Sequence, residues 1–307
     1  MNLHYYYFLQ EFLSLKMNNK GVMSNIEEFE LIDGKFKKRP VTHNLYPSPC
    51  PPTPWEFIHL MTFSGMDSII DERHQEVMNE SFEVRYKHLP SENDHQVIFR
   101  ECYKAMMLIR HAIIHNRASI DTSASGIKIE KQLKNNKYNL IISNDAYDSL
   151  KYLCLLFFCH TEAEDAYSAI IMRHYYHQFR SGVTYLQNEA AIEFIELPID
   201  VEFNPYHRYR YHIEINDLKK INGFFLIDRQ EGIFEKKDLK GGVYRLDNCD
   251  EYLIKNSGVA KYLIPGYKLG KNGEISVDSL NEWKVGTKYF PYQNQATRPT
   301  RLAPSLP

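Results

Sequence analysis

The chain has 307 residues, of which 43% are hydrophobic and 25% charged, with a formal net charge of −2. That length exceeds one minimal core and predicts one large domain or two. The near-neutral charge excludes a general polyanion binder, which needs a broad basic surface, so any nucleic-acid contact has to be local.

Residues 1–20, MNLHYYYFLQEFLSLKMNNK, hold an apolar stretch with no basic residue ahead of it and no small-residue cleavage site. They read poorly as a signal peptide, and their apolar run is far short of the roughly 20 residues a membrane span needs, so no membrane partner is expected. Met1, Met17 and Met23 are all candidate starts. Residues 28–37, EFELIDGKFK, predict two short strands around the turn pair Asp33-Gly34. The run NLYPSPCPPTPW, 44–55, carries five prolines, which remove backbone donors and fix φ, and so predicts a linker. An N-terminal segment is thereby expected over 1–54.

From Trp55 to Gly182 apolar residues recur three or four apart over 55–64, 67–88, 95–117, 144–159 and 162–181, the pattern of five helices. Thr161 with Glu164 reads as a capping box for the last of them, and Gly182 as its left-handed C-terminal cap. Mostly short connections predict an up-and-down bundle over 55–182. Beyond it, AIEFIELPIDVEF, YRYHIEI, GFFLID, GIFEKK, GGVYRL and VAKYLIPGYKL are short β-rich runs separated by turn residues. They predict a mostly antiparallel domain over 183–290, followed by a tail, 291–307, with too little to bury to be ordered. The expected class is α+β, a helical bundle followed by a β-rich C-terminal domain, with no internal repeat. The five cysteines, Cys50, Cys102, Cys154, Cys159 and Cys249, form no CxxC pair and match no zinc-site spacing. Reduced thiols and a cytoplasmic setting are therefore expected.

The third helical segment ends in LIRHAIIHNR, 108–117. Winding it at about 100° per residue puts Phe99, Cys102, Tyr103, Met106, Met107, Ile109, Ile113 and Ile114 on one arc. Arg100, Glu101, Lys104, His111 and His115 fall opposite, and Arg110 lies inside the apolar arc. A guanidinium placed there needs an anionic partner or a polar cleft.

Two chemical frames compete. His111 and His115, four apart, have the spacing of HExxH zinc proteases, but Ala112 stands where the glutamate base belongs and no third ligand is evident. Arg110 and His115 instead make an Arg-x4-His pair, suited to metal-free RNA cleavage. Histidine, which titrates near neutrality, can take the proton of a ribose 2′-hydroxyl, and the arginine fork can hold the phosphate. Dependence on the 2′-hydroxyl would restrict the substrate to RNA. The spacing alone is weak, because a chain with 13 histidines meets it by chance about as often as not.

The surroundings strengthen it. Arg110-His111-Ala112-Ile113-Ile114-His115, with Asn116 next, set in a run of helices over about 55–182, resembles the HEPN superfamily. Its ribonuclease members carry Arg, a polar residue, three more residues and His on one helix of a small bundle. The resemblance implies a metal-independent endoribonuclease with no cofactor, acting as a homodimer whose two motifs face one cleft. It assigns Arg110 and His115 as catalytic, with His111 and Asn116 supporting or binding substrate. Such proteins often serve as toxins or phage-defence effectors, so an antitoxin or regulatory protein is a further expected partner. Others have lost catalysis and bind RNA, nucleotide or protein. Helical geometry gives separate support for the dimer: five residues turn about 140°, so one straight helix does not aim Arg110 and His115 at one point.

Structural readings stand beside these. Arg110 could pair with Asp148 or Glu164, and His115 could be a helix-end histidine favoured by the dipole. HRYRYH, 207–212, could form an aromatic and arginine RNA platform, though an exposed strand face is the preferred reading. The basic run RHYYHQFR, 173–180, fits a helix C-terminus. Cys154 and Cys159 read as core residues.

Overall fold

The computed structural model describes residues 25–39, 54–115, 119–123, 125–133, 136–159, 165–199, 203, 207–227, 235–237, 243–245 and 249–285. The three candidate starts, the prolines of 44–53, Asn116, the Thr161/Glu164 capping box and the expected tail lie outside the described residues.

Strands β1 (Asn25–Ile32) and β2 (Lys35–Lys38) form the expected hairpin, with Asp33 and Gly34 both at positive φ, 54° and 71°. Helix α1 (Trp55–Arg73) is continuous across the expected break near residue 65. A 3-10 turn (Gln75–Val77) then leads to the short α2 (Phe82–His88). The 67–88 segment is thus divided, because Arg85 folds the chain back. Buried on α2, it bridges Asp67 and Asp71 of α1 at 2.8 and 2.9 Å, and its Nε donates to the Glu80 carbonyl. Helix α3 (Asp94–His115) starts on Asn93, whose side chain accepts from the Gln96 amide.

After α3 the chain departs from a simple bundle. Strands β3 (Ile120–Ser123), β4 (Gly126–Leu133) and β5 (Asn136–Ser143) form an antiparallel meander before α4 (Asn144–Cys159) and α5 (Ala166–Ser181). Strands β6 (Val183–Gln187) and β7 (Ala190–Ala191) complete this sheet in the order β3-β4-β5-β6-β7. Strand pairing therefore crosses the expected boundary at 182. Helix α5 begins at Asp165, which accepts from the Ser168 amide. Gly182 is not a left-handed cap, since its φ is −102°. A glycine is needed there for space: an added Cβ would lie 2.4 Å from Ser143 Oγ and 2.7 Å from the Ala146 Cβ.

Of the expected strand over 191–203, only Ala191 lies in a strand, β7, among the described residues. The Ile192 amide still donates to Tyr185 O of β6 at 2.8 Å, but residues 193–199 lie in no strand, and α5 side chains bind two of their carbonyls. Tyr176 Oη donates to Ile195 O at 2.7 Å, and Arg180 Nε to Phe194 O at 3.1 Å.

Strands β8 (His207–Glu214), β9 (Lys219–Ile221), β10 (Phe224–Leu226), β11 (Glu235–Lys237), β12 (Val243–Arg245), β13 (Asp250–Asn256), β14 (Val259–Pro265) and β15 (Glu274–Ser276) follow, with a last turn α6 (Val277–Leu280). The main sheet has the order β14-β13-β8-β1-β2, so the N-terminal hairpin belongs to it. The β1–β8 and β8–β13 ladders are parallel, and the remaining ladders are antiparallel. The class is α+β, with one hydrophobic cluster running from the helices into both five-stranded sheets. No helix among the described residues is long and apolar enough to cross a membrane.

Candidate functional site

The last turns of α3 carry the motif, and their position is set from within. His59 of α1 is fully buried, with Nε2 2.9 Å from the Met106 carbonyl and Nδ1 3.1 Å from Tyr147 Oη on α4. A carbonyl only accepts, so Nε2 carries the proton and Nδ1 accepts from the tyrosine. This cross-link ties α1, α3 and α4 together one helical turn before Arg110. Nothing in the sequence reading singled out His59.

Arg110 is half-buried. Its guanidinium lies 4.8 Å from the Phe82 ring centroid and 6.0 Å from that of Phe63. It lines a groove of about 260 Å³ with Leu60, Phe63, Asp67, Phe82 and Ile114. Among the described residues it makes no hydrogen bond or ion pair. Asp148, one expected partner, is taken by Lys151, and Glu164 is not described. Asp67, the carboxylate in the groove, is already bound by Arg85 and by Tyr103 Oη at 2.7 Å. The guanidinium is therefore held by aromatic faces, which attract its charge without occupying its donors.

His111 and His115 come together, with ring centroids 4.7 Å apart and planes tilted by 51°. His115 is exposed and His111 half-buried. Burial, and then the positive charges of Lys131 on β4, His115 and Arg110, hold His111 below the usual imidazole value. It is neutral at pH 7 and able to accept a proton. Arg110 shares no ring contact, ion pair or hydrogen bond with His115 among the described residues: it faces α1 and α2, while the histidines adjoin each other. No third histidine, cysteine or carboxylate joins the pair in metal-ligand range among those residues.

The two other basic runs serve the fold. HRYRYH forms β8, the middle strand of its sheet, and the preferred exposed-face reading is overturned. Arg208, Arg210 and His212 are at most 6% exposed, and Tyr209 and Tyr211 3%. Arg210 Nε meets Glu251 Oε1 of β13 at 2.5 Å, Arg208 lies 3.5 Å from Oε2, and Tyr167 of α5 bonds both Arg208 and Glu251. In RHYYHQFR, Arg173 pairs with Asp94 at 3.0 Å and Arg180 with Glu196 at 3.2 Å. Cys102 and Cys154 are buried core thiols whose pKa values burial raises. The side chain of Cys159 is not described.

Comparison with protein-family profiles, curated proteins and solved structures gives no match.

Proposed function

We propose that the chain is a cytoplasmic, metal-independent endoribonuclease of HEPN type, with 55–182 as its HEPN-like bundle. The observation that carries this reading is Arg110: a half-buried guanidinium with no anionic partner among the described residues, on the same helix end as the exposed His115. An arginine held by aromatic rings keeps its fork for a phosphate. In this reading Arg110 clamps the scissile phosphate and stabilises the charge growing on it, and His115 moves the proton of the 2′-hydroxyl. Neutral His111 supports His115 through ring contact, and Asn116 assists in binding.

The divergent directions of Arg110 and the histidine pair support a site built from two chains. A symmetric partner would bring its own pair to the cleft, and Ile114, 48% exposed on the rim of the groove, suits such a contact. An activity of this kind needs restraint, for which an antitoxin or regulatory protein is the fitting partner. The same divergence also favours one other reading, a non-catalytic module that binds RNA or nucleotide in the groove.

The test is incubation of the purified protein with total RNA, with and without EDTA. Cleavage that survives EDTA, leaves 2′,3′-cyclic phosphate ends and falls at least about 10²-fold in both Arg110→Ala and His115→Ala is expected. Full activity in both variants removes the assignment, and binding without cleavage selects the second reading.

A further inference from the structure

We propose that His74, Glu76 and His88 form a binding site for one zinc-class divalent cation, separate from Arg110 and His115. The three residues come from the end of α1, the turn after it and the far end of α2. His74 is the residue that ends α1, Glu76 lies in the 3-10 turn, and His88 is the last residue of α2. Each offers one ligand atom, and the three atoms lie within 4.8 Å of one another. Glu76 Oε1 is 2.8 Å from His88 Nε2 and 3.5 Å from His74 Nδ1. In a tetrahedral site with bonds of about 2.0–2.1 Å, ligand atoms stand about 3.3 Å apart. The two measured edges bracket that value and the third, between the histidines, lies within 4.8 Å, so closure onto an ion needs the half-buried His74 and the exposed His88 to draw together around Glu76.

The donor set selects the ion. Two imidazoles and one carboxylate suit zinc-class metals, whereas calcium and magnesium take oxygen ligands. Three protein ligands leave the remaining coordination to water or to a ligand brought from outside.

A second feature shows that the spacing is built rather than accidental. Arg85, three residues before His88, is buried and bridges Asp67 and Asp71 of α1, the latter three residues before His74. It also donates to the Met78 and Glu80 carbonyls in the intervening loop. The ends of α1 and α2 are thereby locked side by side, which is the preorganisation a metal site needs. His74 also lines a cavity of about 240 Å³ with Ile70, Arg73, Leu89, His95 and Phe99, so the open coordination positions adjoin a recess. Without metal, the Glu76–His88 hydrogen bond holds the pair in place, and the ion would take the position of the shared proton.

The test is titration of the full-length protein with Zn²⁺ against a chromophoric chelator, run also on His74→Ala, Glu76→Gln, His88→Ala and the double variant His111→Ala/His115→Ala. One equivalent per chain is expected, weakened at least tenfold in each single variant and unchanged in the double one. A readout independent of variant folding uses Co²⁺ on the unaltered protein, which should show the visible bands of imidazole-ligated cobalt and lose them to Zn²⁺. No stoichiometric binding, binding retained in all three single variants, or binding lost only in the double variant overturns the proposal.

Discussion

His59 Nε2 donates to the Met106 carbonyl across 2.9 Å, joining α1 to the helix that carries Arg110 one turn further on. Burial, which outweighs every other influence, holds His59 down to about 4. Because that value lies below the unfolded imidazole near 6.5, the fold favours the neutral ring. Its contribution is complete above pH 6.5 and is lost as the pH falls toward 4. A difference of about 2.5 units corresponds to roughly 3 kcal/mol. Urea denaturation at pH 7 and pH 4.5 should show a steeper loss in the unaltered protein than in His59→Gln. His174, also brought to about 4 chiefly by burial, titrates in the same window, so the comparison with the variant isolates His59.

Ile114 is exposed on the rim of the Arg110 groove and contributes little to the core of its own chain. Ile114→Asp should change monomer stability by no more than about 0.5 kcal/mol, the usual range for surface positions. If two chains build the site, the same change converts dimer to monomer and removes cleavage. Light scattering and the RNA assay, run on one preparation, test both halves. A variant that stays dimeric and active would sink the role given to this face.

Glu251 stands between Arg208 and Arg210, all three nearly inaccessible to solvent. Removing its charge takes away the buried carboxylate that both guanidiniums meet. Glu251→Gln should cost about 3–5 kcal/mol, the range for breaking a buried ion pair by removal of one partner. Equilibrium unfolding checks it, and a loss below about 1 kcal/mol would contradict the buried network.

Gly182 leaves no room for a side chain beside Ser143 and Ala146. Gly182→Ala should destabilise by about 1–3 kcal/mol through overpacking, although its φ of −102° is open to alanine. A left-handed cap would give a different result at this position: with no crowding, Gly182→Asn would be tolerated better than Gly182→Ala. Melting temperatures of the two variants separate the explanations, since crowding makes the larger asparagine at least as harmful.

The helices were legible because they state their own period. The expected 144–159 coincides with α4, and 95–117 begins one residue after α3 does, its last two residues lying outside the described ones. The meander over 120–143 also had a signal, the alternating Ile127 and Ile129 and then Leu140 and Ile142, all buried, which the helical reading passed over. Helix winding placed Glu101 on the polar side of α3, yet it is 1% exposed, with Tyr86 Oη and Lys104 as partners. Periodicity names a face but not what covers it. The same holds for Arg208 and Arg210, whose burial depends on Glu251 some forty residues later. At the candidate site, Arg110 was recognisable as an anomaly on its own helix. The rings that hold it, Phe63 and Phe82, lie on two other helices and carried no local sign of that role.

Strand β1 has a consequence for how the chain is made. It lies second from one edge of its sheet, between β2 and β8, and residue 25 pairs with residue 207. On the ribosome it emerges early, with only β2 to pair with, and an isolated two-stranded hairpin is marginal in water. About 180 residues must follow before β8 appears, roughly ten to forty seconds at 5–20 residues per second. Throughout that interval the bundle helices can form from local contacts while Phe29 waits for Tyr209 and Tyr211. A segment made before the bundle is thus locked only after it, and synthesis rate and chaperone supply should govern the yield of this protein more than the stability of its helices.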